Sequence, residues 1–343
     1  MQPTPIATYC RQLKPLLPRE VFAPARSRLL WLPTHLSVIV AATLALASGW
    51  GGWPLWPLLS LLIGTSFAGL TFLGHETLHG AVLRGRYLPR MVGFIGFLPF
   101  VVSPRLWVAW HNRVHHGSTN RSGADPDAYP TLAEYRDDRA VQIVTDCTAP
   151  GRRRLRGLVS LLIGFSVQSL HMLLVAGKRG YLTPRQHRLA LLETALGVAI
   201  WGSLAWLIGA TPFVFAFLLP LLVANTLVMA HILTNHSLSP LTIVNDPLSN
   251  SLTVTVPRWF EWLTLGFGYH VEHHLFPSMS ARYGAQVRDV VRKLWPDRYQ
   301  SLPLSRALLS LHRSPRIYKD DTTLMDPHTG REWKALGPGS TIA

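Results

Sequence analysis

Long apolar runs alternate with polar segments along this chain, and the four longest runs predict membrane-spanning helices. They cover about residues 33–50, 54–74, 189–209 and 212–234. An α-helix needs about 20 apolar residues to cross the hydrocarbon core of a bilayer, so each run is close to the required length. Short turns join the first run to the second and the third to the fourth. The pattern therefore predicts two transmembrane hairpins.

Composition supports a membrane protein. Hydrophobic residues make up 48% and charged residues 15% of the 343 residues, and the mean hydropathy is +0.20. The two cysteines, Cys10 and Cys147, lie far apart, which excludes a thiolate metal cluster. The net charge of +15 does not indicate nucleic-acid binding, because the basic residues alternate with membrane-length apolar runs. It favours an anionic membrane face or an acidic protein partner.

Eight of the fifteen histidines fall into three short clusters. The clusters are His75 with His79, His111 with His115 and His116, and His270 with His273 and His274. Residues four apart share one face of a helix, so the spacing predicts that His75 and His79 point at one locus. His111 and His115 are expected to do the same, with His116 about 100° further round the helix.

Imidazole is the commonest side-chain ligand of transition metals, and eight rings are too many for one ion but suit two. In the third cluster, His273 and His274 are expected to straddle the direction of His270. Chance accounts poorly for three such clusters in one chain. The isolated histidines are interpreted as ordinary core or surface residues, namely His35, His171, His187, His312 and His328. The sequence therefore predicts a site for two metal ions.

A narrower alternative concerns the first cluster alone. Residues 75–79 read H-E-x-x-H, the helical motif in which two histidines bind zinc and the glutamate acts as a general base. At the end of a membrane helix, His75, Glu76 and His79 would then indicate an intramembrane zinc metalloprotease. This alternative leaves the other two clusters unexplained and needs a distant third ligand, so it ranks a distant second.

A shared metal site requires all three clusters on one side of the membrane. The apolar segment 91–110 is interrupted by two prolines, so it is expected to fold against the bilayer surface. The segment 157–177 is expected to lie in the interface, because a crossing there would leave the second and third clusters on opposite sides. The turns at 49–54 and 209–212 carry no charge, so the positive-inside rule places them outside.

The predicted fold is an all-α integral membrane protein forming one domain over residues 1–343. It has four transmembrane helices, interfacial helices and a cytoplasmic helical cap that holds the metal site. The cap comprises the regions 75–188 and 235–343. The polar loop 117–156, with its basic run at 152–156, is expected to lie in water. Both termini are expected in the cytoplasm, and the location is expected to be the bacterial inner membrane.

The three clusters resemble the histidine boxes of the integral-membrane fatty acid desaturase superfamily. The run YHVEHHLFP over residues 269–277 is similar to that of the acyl-chain desaturases. The resemblance covers roughly residues 40–290, in box order, box spacing and four-span pattern. It implies a non-haem di-iron centre of two iron ions held mainly by histidine at the cytoplasmic membrane surface. A further ligand is implied just after the last transmembrane helix, where His236 is the first candidate and His231 the weaker one.

The reaction implied by the resemblance is O2-dependent desaturation of a fatty acyl chain linked to lipid, acyl carrier protein or coenzyme A. Related hydroxylases, acetylenases and carotenoid oxygenases share these boxes and stay open as alternatives. No haem, iron–sulfur or flavin motif occurs in the sequence. Electrons must then come from a separate donor, a ferredoxin or a cytochrome b5-like protein, and the basic excess suits an acidic ferredoxin. The expected partners are the acyl substrate, O2, this donor and membrane lipids.

Several polar neighbours are expected to support the ligands rather than bind metal. Glu76 and Glu272 lie inside the boxes, where they either accept hydrogen bonds from ligand rings or face solvent. Asn235 is expected to hold a metal-bound water. Asp125 and Asp127 follow the second box and are interpreted as loop residues beside the ligands.

Overall fold

The computed structural model describes residues 3–148 and 156–337, and helices make up most of this part of the chain. The α-helices are, in chain order, α1 (Ile6–Leu13), α2 (Trp31–Ala47), α3 (Gly52–Leu78), α4 (Leu88–Phe97), α5 (Pro104–Trp107), α6 (His116–Ser118), α7 (Leu132–Asp137), α8 (Arg139–Thr148), α9 (Arg156–Val175), α10 (Pro184–Ile208), α11 (Ala210–Phe213), α12 (Leu219–His236), α13 (Pro247–Asn250), α14 (Arg258–Leu263), α15 (His270–Leu275), α16 (Gly284–Leu294) and α17 (Leu304–Arg313). Two π-helical segments, Val108–His115 and Val214–Leu218, connect α5 to α6 and α11 to α12. The basic run at 152–156 lies outside the residues whose side chains are described.

Five of the described helical stretches are long and apolar enough to cross a membrane. They are Arg26–Ala47, Gly52–Leu78, Gly157–Val175, Pro184–Ile208 and Ala210–His236. Four of them overlap the predicted spans over most of their length, and the fifth coincides with most of the segment expected to lie in the interface. Many large apolar side chains on these helices are exposed, as surfaces that face lipid require. The predicted all-α membrane fold is confirmed.

The number of membrane crossings depends on whether α9 spans the bilayer. This helix packs beside α12, where Asn225 Oδ1 accepts a hydrogen bond from the backbone N–H of Ser166 at 3.1 Å. The ends of α3, α6 and α12 meet at one place, as expected if an even number of crossings separates α6 from the end of α12. The count of four spans stays a prediction, and this arrangement favours it.

The first hairpin reverses direction at glycine residues, and one long helix follows that leads to the first histidine cluster. Gly49 and Gly51 have φ of +73° and +72°, a conformation that residues with a Cβ rarely adopt. The following helix α3 runs past the predicted end at residue 74 to Leu78, so it carries the first histidine cluster out of the bundle.

The segment expected to fold against the bilayer surface is sharply bent. Leu88–Phe100 and Pro104–Ser118 meet at 99°. Val101 at the bend has φ of +50°, and Ser103 Oγ accepts from the backbone N–H groups of the next turn, which starts the second helix. The bend brings the second cluster beside the first. Contact with the bilayer surface stays a prediction.

Short elements after α12 cover the same end of the bundle. The strands are β1 (Thr253–Thr255), paired in parallel with β2 (Ser301–Pro303), and an antiparallel sheet of β3 (Tyr318–Asp320), β4 (Thr323–Met325) and β5 (Glu332–Lys334). Strands of three residues are too short to give an alternating sequence pattern, so they were not predicted. The N-terminal helix α1 packs beneath this cap, where Tyr9 and Leu13 form a small core with Val271 and Val287.

Candidate metal centre

Four elements bring nine imidazoles together at one end of the bundle. The last turn of α3 carries His75 and is followed by His79, and the π-helical segment with α6 carries the second cluster. The end of α12 carries His236, and α15 carries the third cluster. These are the eight predicted box histidines and the predicted ninth residue. They divide into two groups.

The first group consists of His75, His79, His111, His116 and His273. One ligand atom from each of His75, His79, His111 and His273 can be chosen so that all lie within 4.8 Å of one another. His116 Nε2 lies 3.3 Å from His111 Nε2 and 3.1 Å from His273 Nε2. His75 Nε2 lies 3.1 Å from His111 Nε2. All three boxes therefore contribute to this group.

The second group consists of His115, His236, His270 and His274. Ligand atoms of His115, His236 and His274 also lie within 4.8 Å of one another. His270 Nε2 lies 2.6 Å from His236 Nε2 and 3.1 Å from His274 Nε2. A third set that meets the same limit, His111, His115 and Asp127, lies where the two groups adjoin.

The division differs from the pairing predicted from α-helical spacing. The second cluster lies on a π-helix, in which the backbone N–H of His116 bonds to the carbonyl of His111, five residues earlier. His111 consequently shares the first group with His116, although it also lies within the same limit of His115, with which the prediction paired it. In α15, His270 and His274 are four apart and share the second group, while His273 points to the first.

Partners on Nδ1 fix three rings of the second group. His115 Nδ1 donates to the carboxylate of Asp125, with N···O distances of 3.0 and 3.1 Å. His236 Nδ1 donates to the carbonyl of Asn250 at 3.2 Å. His274 Nδ1 donates at 3.2 Å to Thr119 Oγ1, whose own hydrogen goes to the carbonyl of His115. With hydrogen on Nδ1, Nε2 is the atom of each ring that remains for a metal.

This donor set fits a metal ion. His236 Nε2 and His274 Nε2 lie 3.1 Å apart, and both rings carry their hydrogen on Nδ1, so two lone pairs face each other. Two nitrogens bound to one ion at about 2.1 Å, as in zinc–imidazole bonds, and roughly at right angles lie about 3 Å apart. Burial lowers the pKa of His274 and His270 well below the usual value, which keeps both rings in the neutral form that binds metals.

Hydrogen bonds to other elements hold the two glutamates inside the boxes. Glu76 is buried and accepts from Ser280 Oγ at 3.0 Å and from the backbone N–H of Ala281 at 2.6 Å. Glu272 is buried too, and it accepts from Tyr299 Oη and Thr253 Oγ1 at 2.5 and 2.7 Å. Neither carboxylate faces solvent, and among the described residues neither accepts from a histidine ring. The solvent-facing alternative is therefore wrong, and support of the metal ligands by these glutamates stays a prediction.

The other two residues expected to support the ligands, Asp125 and Asn235, differ in their contacts. Asp125 holds His115, as noted, and also accepts from the backbone N–H groups of Asn120 and Asp127 at 2.8 and 3.0 Å. Asn235 is fully buried, and neither polar atom of its side chain has a hydrogen-bond partner in the described part of the chain. Its predicted role toward a metal-bound water stays a prediction.

The remaining histidines lie outside both groups. His231 is fully buried one turn earlier on α12, its Nδ1 donates to the carbonyl of Leu227 at 2.9 Å, and its ring packs 5.8 Å from those of Phe72 and Phe267. Within residues 3–148 and 156–337, the sets able to hold a metal include none of His231, His35, His171, His187, His312 and His328. Of the two candidates for a ninth ligand, the structure brings His236 to the cluster.

A narrow apolar pocket faces both groups. Its walls include Phe72, Trp107 and Phe165, with His75 of the first group and His270 of the second. The volume is about 30 Å³. Space of this size admits about one or two molecules as small as water or O2. Sequence reasoning missed the pocket, along with Thr119 and Asn250, because their contacts depend on the tertiary fold.

The amino-acid sequence is similar to those of several known proteins. The Delta(5) fatty acid desaturase fat-4 of Caenorhabditis elegans is 26% identical over 246 residues, which cover 64% of this chain and 53% of the relative. The sn-1 oleoyl-lipid 12-desaturase of Picosynechococcus sp. is 26% identical over 237 residues, or 64% of this chain and 65% of the relative. The sn-1 acyl-lipid omega-3 desaturase (ferredoxin) of Nostoc sp. is 29% identical over 126 residues, or 36% and 35%.

The chain thus spans about half to two thirds of the length of the first two relatives. Residues 51–303 match the sequence profile of the family described as fatty acid desaturase. That stretch is most of the chain, and it contains all nine histidines of the two groups. The protein belongs to the fatty acid desaturase family.

Proposed function

We propose that this protein is a membrane enzyme that desaturates a fatty acyl chain, using O2 and electrons from a separate donor at a His-ligated di-iron centre. One observation carries the proposal: two histidine groups lie side by side against an apolar pocket. Its aromatic walls exclude water, and its volume of about 30 Å³ would admit only O2 and the few carbons of a chain that react. Those carbons would lie next to both groups.

Nine residues would hold the two irons, divided as the structure divides them. The first group would take one ion and the second group the other. Imidazole donors suit iron, and iron bound there would supply the oxidising power of O2 that breaks an unactivated C–H bond. Asp125, Thr119 and Asn250 orient the rings of the second group, and the aromatic wall positions the chain. The ligand assignments are part of this proposal.

The balance of the reaction requires an outside reductant. One acyl chain loses two hydrogens, and O2 takes these with two further electrons and two protons to give two waters. We propose a ferredoxin as the donor. The name of the Nostoc relative specifies ferredoxin, and the net charge of +15 suits an acidic partner. The names of two relatives specify acyl lipids, which favours a lipid-linked substrate.

We further propose that the metal centre and both termini face the cytoplasm of a bacterial inner membrane. The uncharged turns at 49–54 and 209–212 support this orientation. The convergence of α3, α6 and α12 at one end of the bundle supports four spans.

The protease alternative finds no support at Glu76. A general base must reach the metal-bound water, but Oε1 of this carboxylate accepts from Ser280 and Ala281, and Oε2 lies 3.6 Å from Arg28 Nε. His79 moreover belongs to a group that includes His111 and His273, which the protease motif does not use.

Product analysis tests the proposed reaction. The protein is expressed in a bacterial host of known lipid composition, and its fatty acid methyl esters are analysed by gas chromatography with mass spectrometry. We expect a new fatty acid lighter than its parent by two hydrogens, absent when His274→Ala is expressed at the same level. A product heavier by one oxygen would identify a hydroxylase instead. An unchanged fatty acid profile would refute desaturation of acyl chains.

A further inference from the structure

A second, more polar cavity adjoins the pocket at the histidines. Its volume is about 210 Å³, and it lies between the loop at 127–130, α8, α9 and α12. Four residues line both spaces, namely Asp127, Gln168, Ile232 and His236. A molecule bound in the second cavity would therefore be separated from the histidines only by these side chains.

Arg316 places a buried positive charge in this cavity. It is 5% exposed, its Nη1 donates to Ser160 Oγ at 2.8 Å, and its guanidinium lies 5.7 Å from the centre of the Tyr129 ring. In the part of the chain that the structure describes, no carboxylate forms an ion pair with Arg316. Its Nε is buried, and within residues 3–148 and 156–337 it has no hydrogen-bond partner. A buried charge without a counter-ion is unfavourable, so the cavity favours an anion.

A second donor points to the same conclusion. Tyr129 lines the cavity too, and its Oη is buried with no hydrogen-bond partner among the residues that the structure describes. The carboxylate of Asp127 lies at the boundary with the histidine pocket, where it is already engaged. It accepts from Trp110 Nε1 at 2.8 Å and from Gln168 Nε2 at 2.6 Å, and it lies 3.4 Å from His115 Nδ1. The guanidinium and the phenol thus remain available to a ligand.

We propose that this cavity binds the anionic head of the acyl substrate, a phosphate or carboxylate group, through Arg316 and Tyr129. The proposal rests on the proposed desaturase function and adds to it the site of the head group. The planar fork of arginine suits both oxyanions, which it can contact with two parallel hydrogen bonds. A chain anchored there would pass Gln168 and Ile232 to reach the histidines. The length of this path would then set which carbons are oxidised.

Equilibrium binding to the purified full-length protein tests the proposal, with no electron donor present so that no turnover occurs. Two matched pairs of probes are used: 1-oleoyl-glycerol-3-phosphate with 1-oleoylglycerol, and oleate with oleyl alcohol. We expect the wild type to bind the anionic member of at least one pair about tenfold more tightly than the neutral member. The pair that shows the preference identifies phosphate or carboxylate as the head group.

Substitutions locate the preference. Arg316→Gln should abolish it and leave binding of the neutral probes within about twofold. Arg313→Gln changes an exposed arginine three residues earlier and should behave as the wild type. Tyr129→Phe removes one hydroxyl and should reduce the preference about threefold, a test that remains if Arg316→Gln does not fold.

Two results would overturn the proposal. One is an unchanged anionic preference in Arg316→Gln or, if that variant does not fold, in Tyr129→Phe. The other is equal wild-type affinity for the charged and neutral members of both pairs. Because binding is measured without turnover, either result leaves desaturation itself to be judged by its products.

Discussion

Replacing Asp125 by asparagine removes one charge from the support of the metal centre and almost no volume. Asp125 accepts from the ring of His115 and from two backbone N–H groups, those of Asn120 and Asp127. The two backbone donors approach different carboxylate oxygens. An asparagine has only one oxygen, so its NH2 group must face one of these donors. The variant therefore loses the charge assistance of the contacts and leaves one buried donor unpaired.

The cost follows from these contacts. A hydrogen bond to a charged group contributes about 1.5–3 kcal/mol, and an unpaired buried donor costs about 1–3 kcal/mol. We therefore expect the free energy of unfolding to fall by about 3 kcal/mol. The ring of His115 also loses the partner that holds hydrogen on Nδ1. Losing such a partner lowers metal affinity by about 10–100-fold, and His115 belongs to the second group only.

The assay is iron retention during dialysis against a graded series of chelator concentrations, together with thermal unfolding in detergent. Asp125→Asn should release one iron at a lower chelator concentration than the wild type and retain the other. Asp137→Asn, at an exposed position, is the matched control and should retain both. Wild-type iron retention and stability in Asp125→Asn would refute the assignment of Asp125 as the residue that orients His115.

Further predictions concern the ninth ligand and the topology. His236→Ala should lower iron content and abolish activity, while His231→Ala should keep its iron because that ring lies outside both groups; wild-type iron content in His236→Ala would contradict the assignment. For topology, the native Cys10 and Cys147 are first replaced, and single cysteines are then introduced at exposed positions of three loops, Ser122, Lys178 and Ile243. An impermeant thiol reagent should label each of them only from the cytoplasmic face. Ser48→Cys in the first turn should be labelled only from outside, and outside labelling at residue 243 would rule out four spans.

The membrane helices and the histidines were predictable because their signals are local. A run of about 20 apolar residues and a spacing of four residues each depend on one helix alone. His236 was predicted from the resemblance, which implies a further ligand just after the last transmembrane helix, and this residue ends α12.

The division of the histidines was not predictable from spacing. It depends on the π-helix over Val108–His115. Such helices are rare, and the spacing rules used for the prediction assume an α-helix. Burial of Glu76 and Glu272 was missed because their partners, such as Ser280 and Tyr299, lie in elements joined only by the tertiary fold. Arg316 was missed for the same reason, since it meets Ser160 and Tyr129 only in the folded chain.

Iron content tests the central claim most directly. The wild-type protein and two variants are loaded with ferrous iron without oxygen, freed of excess metal, and analysed for iron per chain. We predict close to two irons in the wild type. His79→Ala, in the first group, and His274→Ala, in the second, should each retain close to one, because each loses a ligand of a different ion. A wild type that holds a single metal ion, or variants that both keep two irons, would contradict the division into two metal sites.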